Sequence, residues 1–168
     1  MERSGGSLAT LYSHFENKQG LLKAVMERSR EMKLAGLMEA VDGADTCCEA
    51  LKTLALRFHD FLNAPSAVAM MRIMIAESLR DPVFARQFYC RGRDEVTAEV
   101  AALFQRWAYS GRAAIDDAGE AAALFMATTL SDTQINAMVP AEGRPCREAE
   151  HARLIWRVEH FCKGFGIR

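Results

Sequence analysis

The sequence predicts an all-α protein, a bundle of about seven helices, and three observations carry that prediction. Apolar residues recur at helical spacing along almost the whole chain, and no stretch alternates apolar with polar as a half-buried strand does. The periodic stretches are divided by short stop and start signals such as Asp42-Gly43, Ala64-Pro65 and Asp81-Pro82. With 168 residues, 50% of them hydrophobic, the chain buries a substantial core, most simply as one domain with a small appendage.

The first helix is short, over residues 7–15. Ser7 serves as its N-cap, and Leu8, Leu11, Tyr12 and Phe15 line one face while Ala9, Thr10, Ser13 and His14 point outward. A capped second helix begins at Lys18 and runs to about Val41, with Leu21, Leu22, Val25, Met26, Met32, Leu37 and Met38 apolar. Asp45-Thr46 starts the third, which continues through Asn63 with a broad apolar surface that includes Leu51, Leu54, Phe58 and Phe61. Ala64-Pro65 stops it, because the residue before a proline is pushed out of the helical region.

Ser66 to about Arg80 carries Val68, Met70, Met71, Ile73, Met74, Ile75 and Leu79, apolar nearly all round, and is expected at the centre of the bundle. Asp81 caps the next segment and Pro82 takes its first helical position. That segment reaches about Ser110 and Gly111, with Gly92 a candidate kink. Asp116 or Asp117 caps a helix of small residues to about Val139, and Pro140 to Pro145 is a loop. The last helix, about Cys146 to Lys163, carries Leu154, Ile155, Trp156, Val158 and Phe161 and ends at Gly164.

Net charge is −1, so no global basic field advertises a nucleic-acid partner; the local cationic excess is confined to the first part of the chain. No apolar run is long enough to span a bilayer, and the residues after Met1 do not form a signal-peptide core, so no membrane association and a cytoplasmic location are expected. The five cysteines form no C-x-x-C pair and fit free thiols in a reducing compartment.

The opening residues resemble the recognition helix of TetR-family transcriptional repressors. The pattern Gly-Val-Ser-x-x-Thr-Leu-Tyr-x-x-Phe-x-x-Lys-x-x-Leu is matched by Gly5, Ser7, Thr10, Leu11, Tyr12, Phe15, Lys18 and Leu21, with Gly6 in place of Val. Further along, Met71 to Ser78 followed by Asp81-Pro82 and Phe84 to Tyr89 is similar to the C-terminal domain of the AefR type. The resemblance implies a TetR-like helical bundle with a partial N-terminal helix-turn-helix, the chain starting within that motif. It implies a DNA-binding head and linking helix over residues 1–40 and a ligand-binding and dimerisation domain over 41–168.

It further implies a ligand-responsive repressor whose partners are operator DNA, a small apolar or amphipathic effector and a second copy of the chain. Ser7, Thr10, Tyr12, His14 and Lys18 match DNA-contacting positions; for Lys18 the chemistry agrees, since a cation beside helix N-terminal N–H groups grips phosphate. Phe58, Phe61, Met71, Met74, Phe88, Phe104, Trp107 and Phe125 lie on the helices that surround a ligand cavity in such proteins. Methionines and aromatics suit a malleable apolar pocket, although the same stripes also build plain cores. Ala123, Ala127, Leu154, Ile155, Val158 and Phe161 are the implied homodimer residues, on the last two helices.

Catalysis and metal binding find no sequence support. Glu148 and His151 have the Glu-x-x-His spacing of di-iron bundles without the remaining glutamates, and His14, His59, His151 and His160 form no H-E-x-x-H. There is no Walker loop, G-x-G-x-x-G or G-x-S-x-G, so no enzyme, cofactor or metal is expected. The alternative to a complete regulator is a truncated ligand-binding and dimerisation module with no DNA-binding activity of its own.

Overall fold

The computed structural model describes residues 15, 17, 19–25, 27, 28, 41, 43–130, 133–138 and 145–168, apart from the side chains of 85, 87–89, 91, 130 and 134. The chain divides into two compact units, Met1–Gly36 and Leu37–Arg168. Among the described residues of the first, 19–25, 27 and 28 are helical and Leu22 is buried. Asn17 caps this helix: its Oδ1 accepts from the Gly20 N–H at 2.9 Å and its carbonyl accepts from the Leu21 N–H at 3.1 Å.

The second unit holds six helices among the described residues: α1 (Cys47–Asn63), α2 (Pro65–Ser78), α3 (Pro82–Tyr109), α4 (Ala118–Leu130), α5 (Thr133–Met138) and α6 (Arg147–Gly164). Among the described residues the fold is all-helical. Local chemistry sets the ends. Thr46 Oγ1 accepts from the Glu49 N–H at 3.1 Å, Asp81 Oδ1 from the Phe84 N–H at 2.9 Å, and Asp117 Oδ1 from the Glu120 N–H at 3.0 Å. Of the two aspartates expected before α4, Asp117 is therefore the cap. α3 runs continuously through Gly92.

The segment expected as one helix to about Val139 is described in two pieces with different neighbours. Both touch α1, but α4 lies mainly against α3 and α6, whereas α5 lies against α2. Arg72 on α2 reaches α5 by donating to the Met138 carbonyl at 3.2 Å.

The core is built on α1, α3, α4 and α6. Leu51, Leu54, Val100, Leu103, Phe104, Phe125 and Val158 are all sealed from solvent. Phe104 meets Phe161 at a centroid separation of 5.8 Å and Phe125 edge-on at 6.0 Å, and Phe125 meets Phe161 at 5.4 Å, so three helices close on one aromatic cluster. Such pairs each contribute about 0.5–1.5 kcal/mol beyond the area they bury.

Two positive-φ glycines shape the end of the chain. Gly111 (φ 70°) turns it out of α3 and Gly166 (φ 56°) turns the last residues back, so that the Cys47 N–H donates to the Arg168 carbonyl at 2.9 Å and the Arg168 N–H to the Arg112 carbonyl at 3.1 Å.

The expectation that residues 66–80 sit at the centre of the bundle is corrected. Only Met74 and Glu77 of α2 are buried, while Ile73, Ile75 and Leu79 are exposed. Apolar character all round does not by itself identify the middle of a bundle; α2 lies beside α1, α3 and α5 with one half turned outward.

Candidate functional site

The residues expected to line an effector cavity separate into three groups. Phe58, Phe104, Trp107 and Phe125 are buried members of the close-packed core. Met74 is buried on α2, and Phe61 and Met71 are half-buried near the junction of α1 and α2. The Phe88 side chain lies outside the described residues, as do Ser7, Thr10, Tyr12, His14 and Lys18 of the DNA-binding set.

The dimer residues separate as well. Leu154, Val158 and Phe161 point into the core of their own chain, with Phe161 held between Phe104, Phe125 and Phe165. They are spent within one molecule and do not form a free face. Ala123 and Ala127 are exposed on α4 and Ile155 is half-buried on α6. On the same two helices stand residues outside the expected interface set: Leu124 is 47% exposed and Trp156 is 59% exposed. Trp156 lies over the His160 ring at 3.9 Å, and Arg157 Nη1 donates to the Thr128 carbonyl at 3.2 Å, tying α6 to α4.

The most concentrated polar chemistry lies elsewhere, where the C-terminal half of α1 meets the first turns of α6. His59, 5% exposed, sits edge-on to the His151 ring at 5.0 Å. His59 Nε2 lies 3.1 Å from Glu150 Oε2, and His59 Nδ1, buried and without a hydrogen-bond partner among the described residues, faces Asp60 Oδ1 at 3.6 Å. His151 Nε2 is 2.9 Å from the same Asp60 oxygen, and Arg147 closes on Asp60 with Nε at 3.1 Å. Asn63 Nδ2 donates to the His59 carbonyl at 3.0 Å. An open cleft of about 470 Å³ gives access, lined by His59, Asp60, Asn63, Ala64, Pro145, Arg147 and Glu150.

The electrostatics of this cluster centre on Asp60. Burial works against its ionisation, but hydrogen bonds from Arg147 and His151 outweigh it and hold the carboxyl below its ordinary range. Sequence reading treated His59 and His151 as unrelated, since 91 positions separate each cross-helix partner pair, His59 with Glu150 and Asp60 with His151. The available signal was a His-Asp dipeptide on one helix and a Glu-His dipeptide on another. Only the pairing of α1 with α6 joins them.

A second cleft, of about 530 Å³, lies further along the same helix pair and includes Cys48, Lys52, Glu159, Cys162 and Arg168. Lys52 bridges Glu49 at 3.0 Å and Glu159 at 2.8 Å, and those hydrogen bonds raise its pKa. Burial raises that of the Cys162 thiol.

Residues 49–165 match the family described as AefR-like transcriptional repressor, C-terminal domain. Two solved structures share the fold. One, from Mesorhizobium loti MAFF303099 and described as a TetR-family transcriptional regulator, superposes with a TM-score of 0.85 at 23% identity, over 99% of this chain and 84% of that one. The other, the flavonoid-responsive regulator FrrA, gives a TM-score of 0.67 at 23% identity, over 98% of this chain and 83% of its own. No curated protein matches the sequence.

Proposed function

The chain belongs to the TetR family of transcriptional regulators, in the group with an AefR-like C-terminal domain, and from that membership we propose that it acts as a homodimeric, ligand-responsive DNA-binding repressor in the cytoplasm. The family match across residues 49–165 carries this reading. Two features of the geometry support it. Asn17 caps a helix within the stretch that carries the recognition-helix pattern, and α4 and α6 leave Ala123, Leu124, Ala127, Ile155, Trp156 and His160 at least partly open to a partner.

In this reading Ser7, Thr10, Tyr12, His14 and Lys18 meet bases and phosphates, and the dimer sets two heads on successive major grooves. A small apolar or amphipathic effector is taken up around Phe61, Met71 and Met74, of which Phe61 and Met71 are only half-buried, in contrast to the sealed aromatic cluster of Phe104 and Phe125. Its binding favours a head spacing that no longer fits the grooves, and repression lifts.

Fluorescence anisotropy with DNA from the promoter of its own operon tests the proposal. Binding that weakens steeply with salt is expected, and release by an effector follows. Flavonoids are the first probes, since FrrA is described as flavonoid-responsive. No salt-sensitive binding would reduce the chain to a dimerisation and ligand-binding module.

A further inference from the structure

We propose that His59, Asp60 and His151 form a binding site for a divalent transition-metal ion of the zinc class, with Glu150 as the carboxylate that orients His59. The three ligand atoms lie within 4.8 Å of one another. A tetrahedral ion with bonds of about 2.1 Å holds its ligands about 3.4 Å apart. Two of the edges already bracket that value, His59 Nδ1 to Asp60 Oδ1 at 3.6 Å and His151 Nε2 to Asp60 Oδ1 at 2.9 Å. The remaining edge, within 4.8 Å, closes by at most about 1.4 Å, through rotation of the partly exposed His151 ring.

The surroundings of His59 point the same way. Its Nε2 lies 3.1 Å from Glu150 Oε2 and 3.3 Å from Asn63 Nδ2. Its Nδ1 is buried, has no hydrogen-bond partner among the described residues and faces Asp60 Oδ1 at 3.6 Å. A buried ring nitrogen without a partner beside a carboxylate is a position that a bound ion would satisfy. A carboxylate on the far nitrogen of a metal-bound imidazole is also the usual way a protein fixes that ring. Glu150 on His59 has this geometry.

The charge balance is workable. A divalent ion at the first turn of α6 opposes the helix dipole, and Glu148 and Glu150 in that turn, with Asp60, offset it. Arg147 holds both Asp60 oxygens, Nε on Oδ1 and Nη2 on Oδ2; the ion takes the place of the Nε contact on Oδ1 and leaves Nη2 on Oδ2. Each imidazole must present an unprotonated nitrogen to the ion, so protons compete with it and binding weakens as the pH falls. The fourth position opens into the cleft and takes water or a small anion. The site is independent of the DNA-binding reading, and an ion there clamps α1 to α6.

Cobalt(II) titration of the purified full-length chain, followed by visible absorption, tests it. Uptake of one ion per chain at micromolar concentration is expected, with a tetrahedral spectrum, displacement by zinc and no near-ultraviolet thiolate band. His151→Gln and Asp60→Asn should each weaken binding at least on the order of tenfold, and Glu150→Gln by about tenfold without abolishing it. If a variant loses its helical circular dichroism, proton NMR of the wild-type cobalt form decides. Two paramagnetically shifted imidazole N–H signals are expected. Failure of the wild type to take up cobalt, a thiolate band, the absence of shifted histidine signals, or unchanged uptake by folded His151→Gln would overturn the site.

Discussion

Phe104 of α3 and Phe161 of α6 lie with ring centroids 5.8 Å apart and planes 27° from parallel, and the pair bridges the core from one helix to the other. Phe104 is fully buried, so its ring contributes through area, aromatic contact and the absence of any space to collapse into. Phe104→Ala is expected to lower stability by about 3–5 kcal/mol. Urea unfolding followed by circular dichroism measures this; a loss under about 1 kcal/mol would mean that the cluster repacks freely.

The two faces of α6 make opposite predictions for the same chemical change. Trp156→Glu places a charge on the exposed face and should yield a folded monomer in sedimentation velocity, with wild-type thermal stability at low protein concentration. Phe161→Glu buries that charge against Phe104 and Phe125 and should unfold the chain instead. A Trp156→Glu protein that sediments with the wild type would remove this face from the interface.

Gly20 has a steric reason to be glycine. A Cβ there would lie 2.0 Å from the Phe15 carbonyl oxygen, so any side chain forces the turn around Asn17 to shift. Gly20→Ala is expected to weaken promoter binding on the order of tenfold or more, while urea unfolding of the Leu37–Arg168 unit stays unchanged. Anisotropy on the variant reads the first, and unchanged affinity would show that the turn does not position the recognition helix.

Asp60 gives the acid response a sign. Its folded-state pKa lies below the ordinary 3.8, so the stability it contributes is present above 3.8 and is lost as pH falls from there through the lower folded value. Replacing Asp60 with Asn should flatten the fall in melting temperature across that window and leave the slope near neutrality unchanged. An acid limb identical to the wild type would mean that the contacts with Arg147 and His151 carry no net linkage.

Much of the architecture was legible because local chemistry and periodicity agree. Thr46, Ala64-Pro65, Asp81-Pro82 and Asp117 mark helix ends by capping and steric rules that operate over three or four residues. What was not legible depends on which face of each helix meets a neighbour. Leu154, Val158 and Phe161 read as surplus apolar surface until α3 and α4 are placed against them, and Trp156 read as more of the same. α2 has too little amphipathic contrast to say which side is inward, and its exposed Ile73, Ile75 and Leu79 follow from its position. The His59, Asp60 and His151 cluster could not be found by motif spacing, because its residues come from two helices far apart in sequence.

The central claim is that two copies of the chain present paired heads to a specific operator, and DNase I footprinting across the promoter of its own operon tests it most directly. The account predicts one protected region of two-fold symmetric sequence, with half-sites a helical turn of about 10–10.5 base pairs, or a multiple of it, apart, lost with Trp156→Glu. Protection that ignores sequence, or protection retained by a monomeric Trp156→Glu protein, would contradict it.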